Sequence, residues 1–393
     1  MAHIVGFSVT GLAGRDETYK CELKRDVNVY FGLNGTGKTS LLKILHSALS
    51  EDGTLLRNVP FQRAEVRIFS IRHDQVFTYR VQRKDHDESQ YEDAAPSADS
   101  LLHSDTVWRI YAAESISNKD LVWTVTPKLK RNPPRWAHRY LPTSRLYTTG
   151  LSPISASYRA RQKDDVLEEE QLDLYFARSL EDLWTRYSAD ILKEVRLAQE
   201  TGLANILKAV LRPAQQTLLE EEIDIDLAYK RVSSFLHRQG SPNLLGSKSE
   251  FEGLYSQGGV RSIVSDINEV EKRIENAIAP REKLQSLIQE MFSGNKKIAF
   301  GDTSLSVETV DQKKIGLASL SSGEKQALRI FVETLMAGPN SIIIDEPELS
   351  MHIDWQKRLI DSMRQLNPSA QIVMATHSPE VMGDLPDDRI FRI

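Results

Sequence analysis

The sequence predicts an α/β fold with three parts: a parallel sheet under helical cover, an antiparallel β subdomain, and an inserted helical domain. Three observations indicate it. A strand–loop–helix pattern surrounds residues 32–39, helical periodicity runs from about 165 to 292, and strands alternate with helices from about 297 to the end. Such alternation is typical of parallel sheets. The predicted domains are an N-terminal lobe over 1–150, a helical insert over 151–295 and a C-terminal lobe over 296–393.

The composition is that of an ordinary soluble globular protein. Of the 393 residues, 40% are hydrophobic and 27% are charged, and the formal net charge of −5 gives no general attraction to nucleic acid or membranes. The single cysteine, Cys21, excludes an internal disulfide and suits a reducing compartment. The N-terminus lacks a signal-peptide pattern, and no apolar run approaches the roughly 20 residues of a membrane span. We therefore expect a cytoplasmic protein without membrane contact.

Residues 32–39, GLNGTGKT, fit the phosphate-loop pattern G-x-x-x-x-G-K-[ST], between a β-rich run and a helical pattern. The glycines let successive N–H groups turn toward phosphate oxygens, and the helix N-terminus adds positive charge there. Lys38 is expected to reach the β- and γ-phosphates, and Thr39 to ligate Mg²⁺. The predicted nucleotide-binding residues are Gly32, Asn34, Gly35, Thr36, Gly37, Lys38, Thr39 and Ser40. The alternative, a Gly-rich turn that fits by chance, is disfavoured because further motifs follow downstream.

The first 130 residues are predicted to form a largely antiparallel β layer around this loop, because β-branched and aromatic residues recur in short runs. Residues 83–100 are rich in Asp, Glu, Ser and Ala and predict a solvated loop. The expected strands lie at 4–9, 19–23, 27–31, 66–71, 76–81, 107–112 and 121–126.

Residues 128–140 form a basic run without any acid. Its members are Lys128, Lys130, Arg131, Arg135 and Arg139, interleaved with Trp136 and Tyr140. Cations beside aromatic rings suit phosphate charge and base stacking, so a nucleic-acid contact is one interpretation. The other is a cationic loop that meets the protein's own acidic surface, the nucleotide or a partner. We favour the second, because the run is short and two prolines predict a loop.

The middle of the chain predicts helices at 167–189, 191–211 and 223–237, separated by few breaking residues. Further on, Ile263, Ile267, Val270 and Ile274 recur at spacings of four, three and four. This stripe indicates either core packing, which we favour, or a short partner-binding coiled coil. Pro280 is expected to kink or end the helix.

Two carboxylates follow a buried apolar strand at 341–344. Ligands bind at the carboxyl ends of parallel strands, so Asp345 is expected to hold Mg²⁺ beside Thr39. Glu346 lies one residue further, where it can orient and polarise an attacking water. An acidic turn that caps a core strand is the alternative. Upstream, residues 320–326, LSSGEKQ, open a helix with Ser321 or Ser322 as N-cap. Its exposed N–H groups, with Gly323, predict a second anion site.

These segments together resemble the ABC-type ATPases. Residues 320–326 resemble the family's signature motif, 342–346 its Walker B strand, and 375–378, ATHS, its switch-histidine loop. The loop GLNGTGKTS and the run DEPELSMH at 345–352 resemble the soluble branch that includes the SMC, RecF and OLD ATPases. The resemblance covers about 1–50 and 297–393. It implies a P-loop NTPase of the ABC-ATPase head type that binds ATP and Mg²⁺. The implied catalytic residues are Glu346, His377 and Lys38.

Three departures from the family pattern stand out. His352 replaces an Asp that transporter-type and SMC relatives usually carry. A Q-loop has only weak candidates, Arg145 and Gln75. The chain ends soon after His377, where OLD-type nucleases continue into a Toprim domain, so we expect that this chain does not cut DNA by itself.

The resemblance implies a homodimer, or an assembly of dimers, with two composite ATP sites. In the family, the signature of one subunit contacts the γ-phosphate held by the phosphate loop of the other. Our leading hypothesis is an ATP-dependent switch subunit that resembles stand-alone ATPases of bacterial anti-phage immunity and acts with a separate effector, such as a nuclease. One alternative is a RecF-like or SMC-like ATPase that clamps DNA, with a nucleic-acid contact through 128–140. Another is a scaffold that binds ATP and hardly hydrolyses it. A transporter subunit is disfavoured.

Overall fold

The computed structural model describes residues 2–83, 121–127, 136–143, 169–211, 225–238, 246–256, 259–292, 296–301, 304–309, 311 and 313–393. The chain divides into two compact units. The first comprises residues 1–180 and 315–393, and the second comprises 181–314. The two units divide the chain at other residues than the domain boundaries predicted at 151 and 295, which stay predictions.

The strands are β1 Ala2–Thr10, β2 Thr18–Glu22, β3 Val27–Phe31, β4 Arg63–Ser70, β5 Gln75–Gln82, β6 Thr124–Thr126, β7 His138–Leu141, β8 Lys296–Phe300, β9 Leu305–Thr309, β10 Lys314–Ile315, β11 Ser341–Asp345, β12 Gln371–Thr376 and β13 Ile390–Arg392. The helices of the described residues are α1 Lys38–Ser50, α2 Glu169–Leu211, α3 Ile225–Arg238, α4 Lys248–Ser256, α5 Gly259–Met291, α6 Ser322–Ala337, α7 Ile353–Leu366 and α8 Pro379–Met382.

A five-stranded parallel sheet carries the first unit, in the order β13-β3-β12-β11-β7. Its strands β11 and β12 are buried along their whole length, as strands covered on both faces must be. The predicted α/β fold with a parallel sheet is therefore confirmed. One detail differs: β3 belongs to this sheet and not to the antiparallel layer. A short apolar run shows that a strand forms but not which partner it takes, so the sequence could not decide between the two sheets.

The antiparallel sheet of the same unit has the order β2-β1-β4-β5-β6. The hairpin predicted at 66–71 and 76–81 is present as β4 and β5, each slightly longer than predicted. Only Thr124–Thr126 of the predicted strand 121–126 is extended, and the predictions at 84–100 and 107–112 lie outside the described residues. Helix α1 buries its apolar face in a core cluster that also includes side chains from both sheets. This packing fixes the helix that follows the phosphate loop.

The basic run is not a loop throughout. Residues 128–135 lie outside the description, but His138–Leu141 forms β7, the edge strand of the parallel sheet. Trp136 is buried, and its Nε1–H donates to Tyr79 Oη at 2.8 Å. Arg139 pairs with the buried Glu333 at 3.3 Å. The described part of the run therefore contacts the protein itself. Trp136 is buried because an aromatic ring gains more from core packing than from solvent, and Arg139 meets an acidic group of the same chain.

The second unit is mainly helical. Ile267 and Val270 of the predicted stripe are buried in a cluster with α3 and α4, so the stripe is used for core packing. Helix α5 does not end at Pro280, because the buried Leu284 and Ile288 on its far side stay packed. The two helices predicted at 167–189 and 191–211 are one continuous helix, α2. In the part of the chain that is described, no helix is both long and apolar enough to cross a membrane.

Candidate active site at the carboxyl edge of the parallel sheet

The phosphate loop joins β3 to α1, and the loop closes through residues that need special backbone shapes. Gly37 precedes α1 with a φ of 103°, in a region that side chains with a Cβ rarely adopt. A Cβ at this position would also approach Ala13 and Leu12 at 3.1 Å. Thr36 steadies the turn, because its hydroxyl donates to Leu33 O at 3.0 Å. The loop can therefore present its backbone N–H groups at the start of a helix.

Lys38 is 4% exposed, and its ammonium group is folded back onto the loop. Its Nζ donates to the carbonyl oxygens of Gly32 at 2.8 Å and Leu33 at 2.9 Å. Burial lowers the pKa of Lys38, whereas nearby carboxylates, Glu346 foremost, oppose that shift. A phosphate oxygen would offer this buried cation a stronger, charge-assisted bond than the two carbonyls do.

Three oxygen-bearing side chains meet at the end of β11. Thr39 donates its hydroxyl to Asp345 Oδ2 at 2.9 Å, and Thr143 donates to the same oxygen at 2.7 Å. Thr39 follows β3, Asp345 ends β11 and Thr143 follows β7, and the carboxyl ends of these parallel strands lie at one edge. Hydroxyl and carboxylate oxygens in this arrangement fit a hard cation such as Mg²⁺. Among the described residues no cluster of three or more His, Cys, Asp or Glu could hold a metal by itself.

Glu346 and His377 face each other beside Lys38. His377 Nε2 lies 3.1 Å from Glu346 Oε1, and its Nδ1 lies 3.4 Å from Lys38 Nζ. Glu346 has a φ of 49°, although it carries a Cβ, and its N–H donates to Ala375 O at 2.8 Å. Backbone strain of this kind persists where the surroundings over-determine it, and it concentrates at functional sites. The sequence-predicted base and switch histidine thus lie within hydrogen-bonding distance of each other.

A cavity of about 370 Å³ opens over these groups. Its lining combines the phosphate loop with Glu346 and His377 and with two residues that sequence reasoning missed, Ala13 and Pro60. The lining residues are Ala13, Asn34, Gly35, Gly37, Lys38, Thr39, Ser40, Pro60, Glu346 and His377. Ala13 N–H donates to Pro60 O at 3.1 Å, which joins the turn after β1 to the segment before β4. No local pattern marks either residue, because only this long-range contact brings them to the loop.

The signature segment lies apart from this cavity. Ser321 is the N-cap of α6, and it forms a capping box with Glu324, whose N–H donates to Ser321 Oγ at 3.3 Å. Ser321 and Ser322 are exposed, and neither they nor Gly323 line the cavity of their own chain. Gly323 is buried, and a Cβ there would lie 2.3 Å from Ser350 O, so no side chain fits at this position. The anion site predicted at these residues stays a prediction.

The remaining sequence candidates are also placed. His352 is the N-cap of α7, with its side chain largely exposed, and its Nδ1 accepts the Asp354 N–H at 3.3 Å. Gln75 begins β5 and is not among the residues that line the cavity, and its assignment to the Q-loop stays a prediction. Arg145 lies outside the described residues. Sequence reasoning assigned no role to Thr143, which follows β7 and donates to Asp345 Oδ2.

Two polar residues near His377 had been given no role. Glu348 belongs to the quoted DEPE run, and its Oε1 accepts the His377 N–H at 2.6 Å. Gln356 of α7 accepts the Ser378 hydroxyl at 2.7 Å. For Glu348, the sequence signal was a carboxylate next to Pro347 in the DEPE run. Its spacing along the chain does not reveal a partner about thirty residues away.

Comparisons with known proteins show the family of the chain. The family model described as "AAA domain, putative AbiEii toxin, Type IV TA system" matches residues 27–383. The chain is 22% identical over 187 residues to a retron Vc95 probable ATPase of Vibrio cholerae serotype O1 biovar El Tor, covering 41% of this chain and 36% of that protein. It is 28% identical over 97 residues to a retron Ec83 probable ATPase of Escherichia coli, covering 21% of this chain and 18% of that protein. The chain thus spans well under half the length of these relatives.

Solved structures with a similar course of the chain are SMC head domains. The head from Pyrococcus furiosus, bound to the C-terminal domain of ScpA, shares 17% identity over 98% of this chain and 92% of that chain, with a TM-score of 0.38. The head from Thermotoga maritima shares 10% identity over 97% of this chain and 91% of that chain, with a TM-score of 0.39. These scores are too low to add to what the fold and the family match establish.

Proposed function

The chain belongs to the AAA-domain family described as a putative AbiEii toxin of type IV TA systems, and from this premise we propose that it hydrolyses ATP as an SMC-like, ABC-type ATPase. The observation that carries the proposal is the convergence of Lys38, Thr39, Asp345, Glu346 and His377 on one edge of the parallel sheet. These residues come from three separate segments, and each has the chemistry that phosphoryl transfer to water requires.

The phosphate loop holds the triphosphate. Its N–H groups and the start of α1 bind phosphate oxygens, and Lys38 exchanges its two carbonyl partners for the β- and γ-phosphates. Thr39, Asp345 and Thr143 would hold Mg²⁺. When bound, this ion supplies positive charge that neutralises the phosphate oxygens as the terminal bond weakens. The two hydroxyls, which now donate to one carboxylate oxygen, can turn their lone pairs outward at little cost.

Glu346 is the general base. It accepts a proton from the attacking water while the water oxygen bonds to the γ-phosphorus and the bond to the bridging oxygen of ADP breaks. His377 lies between Glu346 and Lys38, so it orients the carboxylate and donates to the γ-phosphate. A carboxylate has two oxygens, so Glu346 can keep the 3.1 Å contact to His377 through Oε1 while Oε2 takes the proton of the water. Hydrolysis therefore depends on the position of His377, which is set by residues 375–378, the histidine loop.

Two substitutions test this assignment. Glu346→Gln should retain ATP binding and lose turnover by a factor of about 10²–10⁴, because it keeps the shape and removes the base. Lys38→Ala should lose binding itself, because a buried cation that contacts the phosphates is removed. Equilibrium binding of a fluorescent ATP analogue, beside phosphate release, separates the two effects. Normal turnover in Glu346→Gln would remove Glu346 as the base, and unchanged affinity in Lys38→Ala would contradict the phosphate contact.

We also propose that two copies sandwich the nucleotide. Ser321 and Ser322 are exposed at a helix N-terminus and do not line their own cavity, which supports their use by a second chain. ATP would then hold the copies together, and hydrolysis would release them. Light scattering of Glu346→Gln should show a dimer with ATP and Mg²⁺ and a smaller species with ADP. Ser322→Arg should abolish the ATP-dependent dimer, and a dimer that persists in this variant would exclude the composite site.

The partner is proposed to be a separate effector in bacterial defence, such as a nuclease. The family description and the retron names of the matched relatives support this, although the chain spans only part of those relatives. Pull-down of the Glu346→Gln variant from the native host, with ATP, should capture the effector, and the lysate with ADP is the control. The DNA-clamp alternative loses one of its residues, because Arg139 pairs with Glu333. Turnover by the purified chain would exclude the scaffold alternative.

A further inference from the structure

Glu348 ties the loop that carries His377 to the segment after β11. Its Oε1 accepts two consecutive backbone N–H groups, from His377 at 2.6 Å and from Ser378 at 3.2 Å. Its Oε2 is buried and has no hydrogen-bond partner within the described part of the chain. A carboxylate that accepts two N–H groups forms charge-assisted bonds, which are about twice as strong as neutral ones. The contact therefore fixes the backbone position of His377, and not merely its ring.

Gln356 adds a second tie between the same two segments. Its Oε1 accepts the Ser378 hydroxyl at 2.7 Å, and its Nε2 donates to Met351 O at 2.8 Å. The Ser378 hydroxyl also caps the short helix α8, because it accepts the Glu380 N–H at 3.2 Å. The histidine loop is thus bound to residues 347–351 through two independent side chains.

The other side of residues 347–351 packs against the start of α6, which we call the signature helix. Gln326 Nε2 donates to Pro347 O at 2.5 Å, and Gly323 approaches Ser350 O so closely that no side chain fits between them. A displacement at the start of α6 must therefore move the segment that carries Glu348. The segment lies between the signature helix on one side and the histidine loop on the other.

We propose that Glu348 is a positioning residue that sets His377 against Glu346 and Lys38, and that it conveys the position of the signature helix to the hydrolytic groups of the same chain. This inference rests on the proposed ATPase function. Reacting groups must be held to within about 0.5 Å, so a residue that fixes the backbone of His377 controls turnover more than it controls binding. The nucleotide is held by the phosphate loop, which Glu348 does not touch.

The chain offers a graded pair of variants. Glu348→Ala removes the acceptor of both N–H groups. Glu348→Gln keeps the length and one acceptor oxygen, so it preserves the contact at neutral strength. We expect kcat to fall about 10- to 100-fold in Glu348→Ala, with partial recovery in Glu348→Gln, while the affinity for ATP stays within about threefold of the wild type.

Hydrogen exchange gives a readout that does not depend on turnover. The amides of His377 and Ser378 should exchange about 10- to 100-fold faster in Glu348→Ala, which is the range for one lost hydrogen bond to a charged group. In Glu348→Gln, which keeps a neutral acceptor, the increase should be smaller. Gln356→Ala, which leaves both N–H contacts in place, should show a smaller change. If Glu348→Ala does not fold, Glu348→Gln and Gln356→Ala carry the test.

Several outcomes would overturn the inference. Wild-type kcat with unchanged exchange in Glu348→Ala would show that the contact positions nothing, and equal loss of ATP affinity and kcat would show a merely structural role. Glu346→Gln distinguishes this failure from failure of the proposed function. If Glu346→Gln is inactive while Glu348→Ala is normal, only the role of Glu348 is wrong. If Glu346→Gln turns over normally, the assigned base is wrong, and the exchange result still tests Glu348 alone.

Discussion

Gly323→Ala tests how closely the signature helix approaches the segment after β11. A Cβ on Gly323 would lie 2.3 Å from Ser350 O and 3.3 Å from Ser350 C, whereas ordinary contacts begin at 3.4 Å. Both atoms belong to the backbone, so no side-chain rotation can relieve the contact. The helix start and the segment must therefore separate by about 1 Å.

Two opposing effects set the magnitude. Alanine in place of a helical glycine stabilises by about 0.4–1 kcal/mol, chiefly because the unfolded chain loses freedom. An overpacked contact costs about 1–3 kcal/mol. Gly253, in α4, is the matched control, since nothing lies within 4 Å of a Cβ built there. The difference in stability between Gly253→Ala and Gly323→Ala, about 1–3 kcal/mol, is then the packing cost itself.

The assay combines stability with turnover. Urea denaturation gives the free energy of unfolding of each variant, and hydrogen exchange shows that the change occurs in the unit that carries the substitution. A shift of about 1 Å near the reacting groups can lower turnover as much as about 10²-fold, so Gly323→Ala should lose activity and Gly253→Ala should not.

A single result would refute this reasoning. If Gly323→Ala gains as much stability as Gly253→Ala and keeps its turnover, the helix start does not touch the segment after β11. The path from the signature helix to His377 would then lose its first contact, whatever the behaviour of Glu348.

Two further predictions follow from the same unit. Thr143→Val keeps the shape of the side chain and removes the hydroxyl that donates to Asp345 Oδ2, so it should weaken ATP binding about 10-fold with Mg²⁺ but not with EDTA. Thr143→Ser keeps the hydroxyl and should bind ATP as the wild type does. Equal weakening in EDTA would contradict a role of Thr143 toward the metal. Burial, and then the neighbouring His138, lowers the pKa of His46 from 6.5 to about 4. As the pH falls, the unfolded chain therefore binds a proton at His46 at a higher pH than the folded chain does. The stability that depends on a neutral His46 ring is complete above about pH 6.5 and is lost as the pH falls toward 4, by at most about 3 kcal/mol. Urea denaturation at pH 7.5 and pH 5 should show a smaller loss for His46→Gln than for the exposed control His237→Gln, and equal losses would contradict the assignment.

Local sequence determined the chemistry of this protein. The phosphate loop, Asp345, Glu346 and the capped start of α6 were all predicted, and the strand ends agreed within a few residues in most cases. The reason is that each is set by neighbours along the chain: a glycine where φ is positive, a serine before a helix, an apolar run before two carboxylates. Such short-range requirements leave a pattern that one sequence displays by itself.

Tertiary structure alone decided which distant groups meet. Thr143 contacts Asp345, 202 positions away in the sequence, because β7 and β11 are neighbours in one sheet. The sequence around residue 143 contains no pattern that predicts this contact. Glu348 stood in a recognised run, yet its bond to His377 depends on how two loops lie at the edge of the sheet. A side-chain hydrogen bond depends on distance in space to within a few tenths of an ångström. The sequence lists the groups that can form such a bond, and only packing brings two of them within reach.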